Sequence, residues 1–266
     1  APDLKKGRIV LIPPVSASGP AIAARELYVY LPAGYDAKRT DGYPVAYMHD
    51  GQNLWDDPTE PFGHGGWQVN ETADRLIASG KVRPFIVVGI PNSPERMKEY
   101  APGRSIFDDS DHPYLQYIVR DVKPLIDRTF HTSHRPEDTT IMGSSMGAIL
   151  SLQAALLHPD IFGAAGCLSP AFQFKDPDGK SYADLIEKIG HLPVRLYLDH
   201  GTAGAGGDGA DTTGAMVKLL KKTGWQSGED QYFIHEGAEH NERAWRQRLE
   251  RPLEFLIGRD PDHPGW

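Results

Sequence analysis

Two patterns of hydrophobic residues alternate along this chain. Short, nearly continuous apolar runs are typical of strands buried on both faces of a sheet. Longer segments, in which apolar residues recur every three or four positions, are typical of amphipathic helices. The runs that predict strands cover residues 26–31, 44–49, 84–90, 139–142, 163–168, 194–199 and 231–235. The segments that predict helices cover residues 70–79, 114–130, 148–157, 212–223 and 242–257.

This order of elements predicts an α/β fold: a mostly parallel central sheet with helices on both faces. Pro124 lies inside the segment 114–130 and removes one backbone donor, so we expect that helix to bend. No internal repeat or low-complexity linker divides the 266 residues, and α/β folds of this length often form one unit. We therefore expect a single domain over residues 1–266, with a core of about 26–257 and a C-terminal tail at 258–266.

The pentapeptide Gly143-Ser144-Ser145-Met146-Gly147 lies between a predicted strand and a predicted helix. G-x-S-x-G in a strand-turn-helix setting is the nucleophile elbow, where a sharp turn lifts one serine clear of the sheet. The glycines are needed because neighbouring backbone passes close to the turn. The motif alone is short, and a glycine-rich connection without chemistry is the alternative. We interpret Ser145 as a nucleophile.

A base is expected at the carboxyl ends of the strands, where α/β sheets bind their ligands. The chain has 11 histidines, and most of them are discounted as the base because of where they lie relative to the predicted strands. His240 directly follows the last predicted strand and precedes the last helix. In α/β hydrolases the chain order is serine, acid, histidine, which makes His240 the predicted base. The alternative is that His240 only helps to start a helix.

Three acids lie at the end of the predicted strand 194–199 or after it: Asp199, Asp208 and Asp211. The acid accepts the imidazole Nδ1–H and fixes its tautomer. Asp199 could instead brace the following turn, and Asp211 stands where a helix cap is wanted. Asp208 lies at the loop tip, which can bend back towards His240. We favour Asp208, and the other two stay open.

An oxyanion hole requires two backbone N–H groups. Met146 follows the predicted nucleophile and supplies one of them. The second candidate is the Gln52 N–H, in the loop after the strand at 44–49, where Gly51 lets the backbone turn close to the site. Asp50-Gly51 could equally be an ordinary turn.

Composition limits the classes of partner. Apolar residues at 39% and charged residues at 24% describe an ordinary globular protein. A net charge of −8 argues against nucleic acid, and no apolar run approaches the roughly 20 residues of a membrane span. The single cysteine, Cys167, excludes an internal disulfide and is expected to be buried. Ala1 would fit a cleaved signal peptide or a trimmed chain, so the compartment stays open, with a lean towards secretion or the periplasm.

Several further segments extend the pattern beyond the pentapeptide. They are residues 28–35, 43–45, 49–53 (H-D-G-Q-N), 65–67, 86–90, 99–100, 143–147 and 237–241 (G-A-E-H-N), followed by Trp245. With these segments the chain resembles the "Putative esterase" (esterase D-like) branch of the α/β hydrolases. That branch includes feruloyl and acetyl-xylan esterases of the carbohydrate esterase family 1 type, enterochelin esterases, S-formylglutathione hydrolases and mycolyltransferases. The resemblance covers most of the chain.

The resemblance implies that Ser145 is the nucleophile, His240 the base, and Met146 and Gln52 the oxyanion donors. It places the acid nearest Asp208, although the Gly/Ala insertion at 203–207 departs from the shorter loops of the family. It implies two-step acyl transfer through an acyl-enzyme, without a metal or organic cofactor.

The resemblance also suggests acetyl, feruloyl or similar esters of carbohydrates or small molecules as substrates. A thioesterase or acyltransferase of the same fold is an alternative, as is a non-catalytic binding module on this scaffold. Four aromatic residues could stack on a sugar or phenolic ring, or could only pack the loops. They are Trp55, Trp67, Tyr100 and Tyr114.

Overall fold

One eight-stranded sheet forms the centre of the chain. The computed structural model describes residues 6–19, 22–56, 65–103, 105–110, 112–226 and 228–258. The strands are β1 (Arg8–Val15), β2 (Arg25–Leu31), β3 (Val45–His49), β4 (Ile86–Ile90), β5 (Thr139–Ser144), β6 (Ala164–Leu168), β7 (Arg195–Gly201) and β8 (Asp230–His235). Their spatial order is β1-β2-β4-β3-β5-β6-β7-β8. The pairs β1–β2 and β2–β4 are antiparallel, and every other neighbouring pair is parallel.

Helices connect these strands. They are α1 (Val69–Ala78), α2 (Arg96–Tyr100), α3 (Pro113–Tyr117), α4 (Lys123–Thr129), α5 (Met146–Leu157), α6 (Tyr182–Ile189), α7 (Ala210–Thr223), α8 (Glu242–Arg248) and α9 (Glu250–Ile257). Short 3₁₀ turns occupy Gly51–Asn53, Pro136–Asp138 and Gly207–Gly209. Among the described residues, no helix is both long and apolar enough to cross a bilayer.

The helices cover both faces of the sheet, as the sequence pattern predicts. Side chains alternate along β3: Val45 and Tyr47 pack into one apolar cluster, and Ala46 and Met48 pack into another. The first cluster contains apolar side chains from α3, α5, α6 and α7, and the second contains side chains from α1, α8 and α9. The predicted α/β-hydrolase architecture, a mostly parallel sheet between two helical layers, is confirmed.

Strand β1 and helices α2 and α6 were not predicted. β1 is an edge strand whose residues are mostly exposed, so it lacks the buried stripe that identifies its neighbours. It also contains Pro13 and Pro14, which are unusual inside a strand. The eight residues of α6 begin with a capping box between Ser181 and Asp184, a signal that the apolar pattern does not contain.

Prolines shape two helices that the apolar pattern predicts as continuous. In the segment that contains Pro124, a π-helical turn at Ile118–Val122 lies between α3 and α4. The long final helix is divided at Leu249 into α8 and α9. Pro252 explains this break, because it cannot donate to the carbonyl four residues earlier. Of the predicted C-terminal tail, residues 259–266 lie outside the described part of the chain.

Candidate active site

Ser145 occupies a strained turn between β5 and α5. Its backbone angles are φ 57° and ψ −119°, in a region that residues with a side chain rarely adopt. The turn is held through its backbone: the Ser145 N–H donates to Leu168 O at 3.0 Å, and the Ser145 carbonyl accepts the Ala171 N–H at 3.1 Å. The loop after β6 therefore fixes the backbone that carries this serine. The side chain is half-buried and faces a cavity.

His49, at the end of β3, explains the two glycines of this turn. A Cβ atom on Gly143 would lie 3.0 Å from His49 Cδ2, and one on Gly147 would lie 3.1 Å from His49 Cβ. The His49 ring is buried, and its Nδ1 forms a 3.1 Å hydrogen bond with the Tyr114 hydroxyl. Burial lowers the pKa of His49 to about 4, so the ring is neutral at neutral pH. An apolar pattern cannot indicate this contact between distant segments.

Gly143→Ala is expected to lower the free energy of unfolding by about 1–3 kcal/mol, because the added methyl group overpacks the space against His49. Urea denaturation at fixed pH measures the change. Gly19→Ala is the matched control, because a Cβ there meets nothing within 4 Å. Equal destabilisation by the two substitutions would contradict the explanation.

His240 and Asp208 form a short hydrogen bond. Nδ1 of His240 lies 2.5 Å from Oδ1 of Asp208. The Asp208 side chain is fully buried, whereas 45% of the His240 side chain is exposed. Burial opposes ionisation of Asp208, but hydrogen bonds from His240, Ser169 and the Gly201 N–H outweigh it and hold the pKa of this carboxyl below its usual range. Asp208 is therefore a carboxylate at neutral pH.

The glycine-rich loop after β7 brings Asp208 to this position. Asp208 itself has φ 53° within the turn Gly207–Gly209, and four glycines of this loop also have positive φ. Such angles reverse the chain within a few residues, and glycine adopts them at little steric cost. At the loop entrance, a Cβ on Gly201 would lie 2.1 Å from Ala238 O, so only glycine fits there. This close approach joins the loop of Asp208 to the loop of His240.

The other two candidate acids lie elsewhere. Asp199 is fully buried, and its Oδ2 lies 2.9 Å from Nε of Arg248. Asp211 is exposed in the first turn of α7, which begins at Ala210, so Asp211 is not the cap of that helix. Of the three sequence candidates, Asp208 is the one whose carboxylate reaches His240 in the described residues.

The turn after β3 is braced by an ion pair. Asp50, with φ 55°, binds Arg96 through two contacts, Nε–Oδ1 at 2.7 Å and Nη2–Oδ2 at 2.8 Å. Asn92 Nδ2 donates to the same carboxylate at 2.5 Å, and the Asn92 N–H donates to Oε1 of Gln52 at 3.1 Å. Bidentate arginine–carboxylate pairs fix geometry as well as charge. These contacts fix the backbone on either side of Gly51.

Two N–H groups near Ser145 are free of helical hydrogen bonds by position. Met146 is the first residue of α5, and Gln52 is the second residue of the turn Gly51–Asn53. The first N–H groups of a helix have no acceptor within it and point outward from its N-terminus. Gln52 and Ser145 share one cavity wall. Met146 is buried directly after the serine.

Two cavities meet at Ser145 and His240. The larger has a volume of about 500 Å³, and its wall includes Gln52, Trp67, Asn92, Arg96, Glu242 and Trp245. The smaller has a volume of about 280 Å³, and its wall includes Ser169, Pro170, Gln173, Ala203 and Gly209. A substrate bound at Ser145 therefore has space on both sides.

Of the four aromatic candidates, the structure places only Trp67 in the cavity wall. The Trp67 ring lies 5.5 Å from that of Trp245, which borders the same cavity. Trp55 packs against Tyr28 at 6.4 Å and lies outside the wall. Tyr100 and Tyr114 are fully buried, and their ring centroids lie 4.8 Å apart. Trp55, Tyr100 and Tyr114 thus have a packing role, which the sequence had offered as the alternative to binding a ring of the substrate.

Sequence reasoning missed Asn92, Arg96, Ser169 and Arg248. The sequence did contain an indication for Arg248. This residue lies three positions after Trp245, on the buried side of α8, where a charged group requires a partner. The other three stand in loops or in the unpredicted α2, and their partners are distant in sequence. Among the described residues, no group of three or more His, Cys, Asp or Glu side chains is arranged to hold a metal ion.

Comparisons with known proteins identify the family of this chain. The sequence model of the family described as "Putative esterase" matches residues 23–256. The chain belongs to this esterase family. Members of the family are carboxylesterase-type hydrolases, and the resemblance noted in the sequence is confirmed.

One curated relative is similar to this chain in sequence, and two solved structures share its fold. An endo-1,4-beta-xylanase/feruloyl esterase of Xylanibacter ruminicola is 27% identical over 238 residues, which cover 86% of this chain and 29% of the relative. A solved ferulic acid esterase superposes with a TM-score of 0.72 at 19% identity, covering 95% of this chain and 98% of that one. The enterobactin esterase of Shigella flexneri superposes with a TM-score of 0.71 at 17% identity, covering 96% of this chain and 60% of that one.

Proposed function

We propose that this esterase cleaves its substrates through Ser145 as nucleophile, His240 as general base and Asp208 as the acid that orients His240. The observation that carries this proposal is the 2.5 Å hydrogen bond between His240 Nδ1 and Asp208 Oδ1. Ser145 and His240 border the same two cavities, so a bound ester would meet both side chains. The strained backbone of Ser145 fits a nucleophile held away from the sheet.

The reaction has two steps. His240 Nε2 takes the proton of Ser145 Oγ as that oxygen attacks the ester carbonyl, and Asp208 stabilises the imidazolium that forms. The tetrahedral intermediate collapses, the alcohol leaves with the proton from His240, and the acyl group stays on Ser145. In the second step His240 deprotonates a water molecule that attacks the acyl-enzyme. The bond between the acyl group and Ser145 Oγ then breaks, Oγ takes the proton back from His240, and the acid is released.

The N–H groups of Gln52 and Met146 form the oxyanion hole in this proposal. Both stand at helical N-termini without an intrahelical acceptor, and the partial positive charge of such ends favours a developing oxyanion. The Asp50–Arg96 ion pair supports this role, because it fixes the turn that carries Gln52. Preorganised donors need no rearrangement as the negative charge appears.

For substrates we propose acetyl, feruloyl or similar short or aromatic acyl esters of carbohydrates or small molecules. The relatives named feruloyl and ferulic acid esterase support the aromatic acyl group. The paired rings of Trp67 and Trp245 offer an apolar surface in the larger cavity. Its volume of about 500 Å³ suits a drug-sized ligand, which is the size of a feruloyl sugar.

Covalent labelling tests the mechanism. A fluorophosphonate probe should modify Ser145 in the wild-type protein, because only an activated serine attacks the phosphorus. Mass spectrometry of the digested protein locates the label. A folded wild-type protein that does not label at Ser145 would contradict the proposed nucleophile.

A panel of substrates tests the acyl preference. We expect cleavage of p-nitrophenyl acetate and methyl ferulate, and little cleavage of p-nitrophenyl palmitate, because the proposed substrates carry short or aromatic acyl groups. Including enterobactin, a thioester and an alcohol acceptor distinguishes the other activities found on this fold. Preference for palmitate would contradict the proposed substrate class.

A further inference from the structure

The oxygen of Asp208 that faces away from His240 is held by a buried set of donors. The Gly201 N–H donates to Oδ2 at 2.5 Å, and the Ser169 hydroxyl donates to it at 2.6 Å. Arg248 Nη2 lies 3.6 Å from the same oxygen. These donors therefore orient the carboxylate so that its other oxygen, Oδ1, accepts the hydrogen bond from His240.

The direction of the Ser169 hydroxyl is fixed by its other neighbours. Trp245 Nε1 donates to Ser169 Oγ at 2.9 Å, and Arg248 Nη2 donates to it at 2.6 Å. Neither group can accept a hydrogen bond, so both lone pairs of the hydroxyl are used. The single hydroxyl proton then has Asp208 Oδ2 as its acceptor. Ser169 therefore donates its hydroxyl proton to Asp208 and cannot accept a hydrogen bond there instead.

Arg248 is itself held in place by Asp199. Its Nε and Nη2 lie 2.9 and 3.0 Å from the two oxygens of Asp199. Both side chains are buried, and the Ser169 N–H donates to the same carboxylate at 3.0 Å. A buried guanidinium in such a pair has little freedom to move. A contiguous set of contacts thus joins Asp199, Arg248, Ser169, Asp208 and His240.

We propose that Ser169 is a positioning residue of the ester-cleaving site, which transmits the fixed geometry of the Arg248–Asp199 pair to the carboxylate that orients His240. This inference rests on the proposed roles of His240 and Asp208. Ser169 does not touch the reacting atoms. It acts by keeping Asp208 ionised and turned towards the imidazole.

The expected consequence is a change in pH dependence. The hydrogen bond from Ser169 is one of the contacts that lower the pKa of Asp208, against the opposing effect of burial. Without that donor the pKa of Asp208 rises. As pH falls, the coupled His240–Asp208 pair then takes up its proton at a higher pH than in the wild type, because one donor fewer offsets the charge of the carboxylate, so the acid limb of the activity profile moves upward.

Ser169→Ala tests the proposal through the pH profile of the second-order rate of fluorophosphonate labelling, which needs no knowledge of the natural ester. We expect the acid limb to move up by about half a pH unit or more, since a hydrogen bond to a charged group corresponds to about one to two pKa units. The plateau rate should fall about 10-fold as His240 loses its fixed orientation. An unshifted acid limb in a folded variant would overturn the proposal.

Ser169→Gly separates this role from backbone strain. Ser169 has φ 44°, which glycine adopts without cost and alanine does not. Both variants lack the hydroxyl, so both should shift the profile, even if only Ser169→Gly folds well. A wild-type profile in Ser169→Gly would show that strain, not hydrogen bonding, explains any defect of Ser169→Ala.

Tyr197→Phe is the matched control. The Tyr197 hydroxyl donates to Asp199 Oδ2 at 3.0 Å and is equally buried, and Asp208 Oδ2 is not its acceptor. This variant should keep the wild-type acid limb, whatever its stability. Absence of labelling in the wild type would refute the proposed mechanism itself, whereas labelling with an unshifted Ser169→Ala profile would refute only the role of Ser169.

Discussion

Ser145→Ala is expected to lower kcat/KM for p-nitrophenyl acetate by about 10³-fold or more, leaving the residual rate that binding and the oxyanion donors supply. The substitution removes the attacking oxygen. It keeps the Cβ atom at φ 57°, and the hydrogen bonds that hold this turn come from the backbone of residue 145. The melting temperature should therefore stay near that of the wild type. Steady-state kinetics and a thermal melt measure the two effects.

Ser151→Ala is the matched control for that prediction. Ser151 lies in the same helix, α5, and its hydroxyl donates to the Gly147 carbonyl at 2.8 Å. Loss of this buried hydrogen bond should cost about 1 kcal/mol of stability and little activity. Near-wild-type turnover in Ser145→Ala, or an equal loss in both variants, would contradict the assignment of Ser145.

The sequence was sufficient where structure is local or follows from topology. Strands β3 to β7 are short apolar runs, and their burial on both faces makes the runs recognisable. Because the carboxyl ends of parallel strands meet at one sheet edge, the order of elements also predicts that Ser145, His240 and Gln52 lie close together. The structure places all three in the wall of one cavity. These expectations needed no knowledge of side-chain packing.

The sequence was insufficient where contacts are distant or several residues suit one role. Asp199, Asp208 and Asp211 all lie at the end of β7 or after it, and the sequence favours Asp208 but leaves the other two open. The reversal at Gly207–Gly209 is what brings the Asp208 carboxylate to His240. Trp55 and Tyr100 stand beside motif residues but point into the core. Orientation of this kind depends on neighbours from other elements, which an apolar pattern does not contain.

Residues with strained backbone angles are concentrated at the candidate active site. Among the described residues, those other than glycine with positive φ are Asp50, Gln68, Ser145, Ser169 and Asp208. Such conformations cost about 1–3 kcal/mol each and persist where the surrounding structure holds them. Four of these residues are the predicted nucleophile, its acid, the positioning serine and the carboxylate that braces the Gln52 turn. The packing of the whole sheet thus stabilises backbone angles that these positions alone would not adopt.

Asp208→Asn is expected to lower kcat by about 10³–10⁴-fold with little change in fold. The amide is nearly isosteric with the carboxylate, but its NH₂ group can face His240 Nδ1 and donate to it. The imidazole would then carry its proton on Nε2, and it could no longer accept the proton of Ser145. Burst and steady-state kinetics with p-nitrophenyl acetate measure the loss.

The two other candidate acids are the controls for Asp208→Asn, and they separate catalysis from stability. Asp211→Asn should keep wild-type activity, because Asp211 is exposed on α7. Asp199→Asn should lower the free energy of unfolding by about 3–5 kcal/mol, since it leaves the buried Arg248 without its counter-charge. If Asp211→Asn lost as much activity as Asp208→Asn, the acid would be misassigned. If Asp208→Asn instead lost stability in proportion to activity, its carboxylate would serve the fold, and the orientation of His240 would have to come from another group.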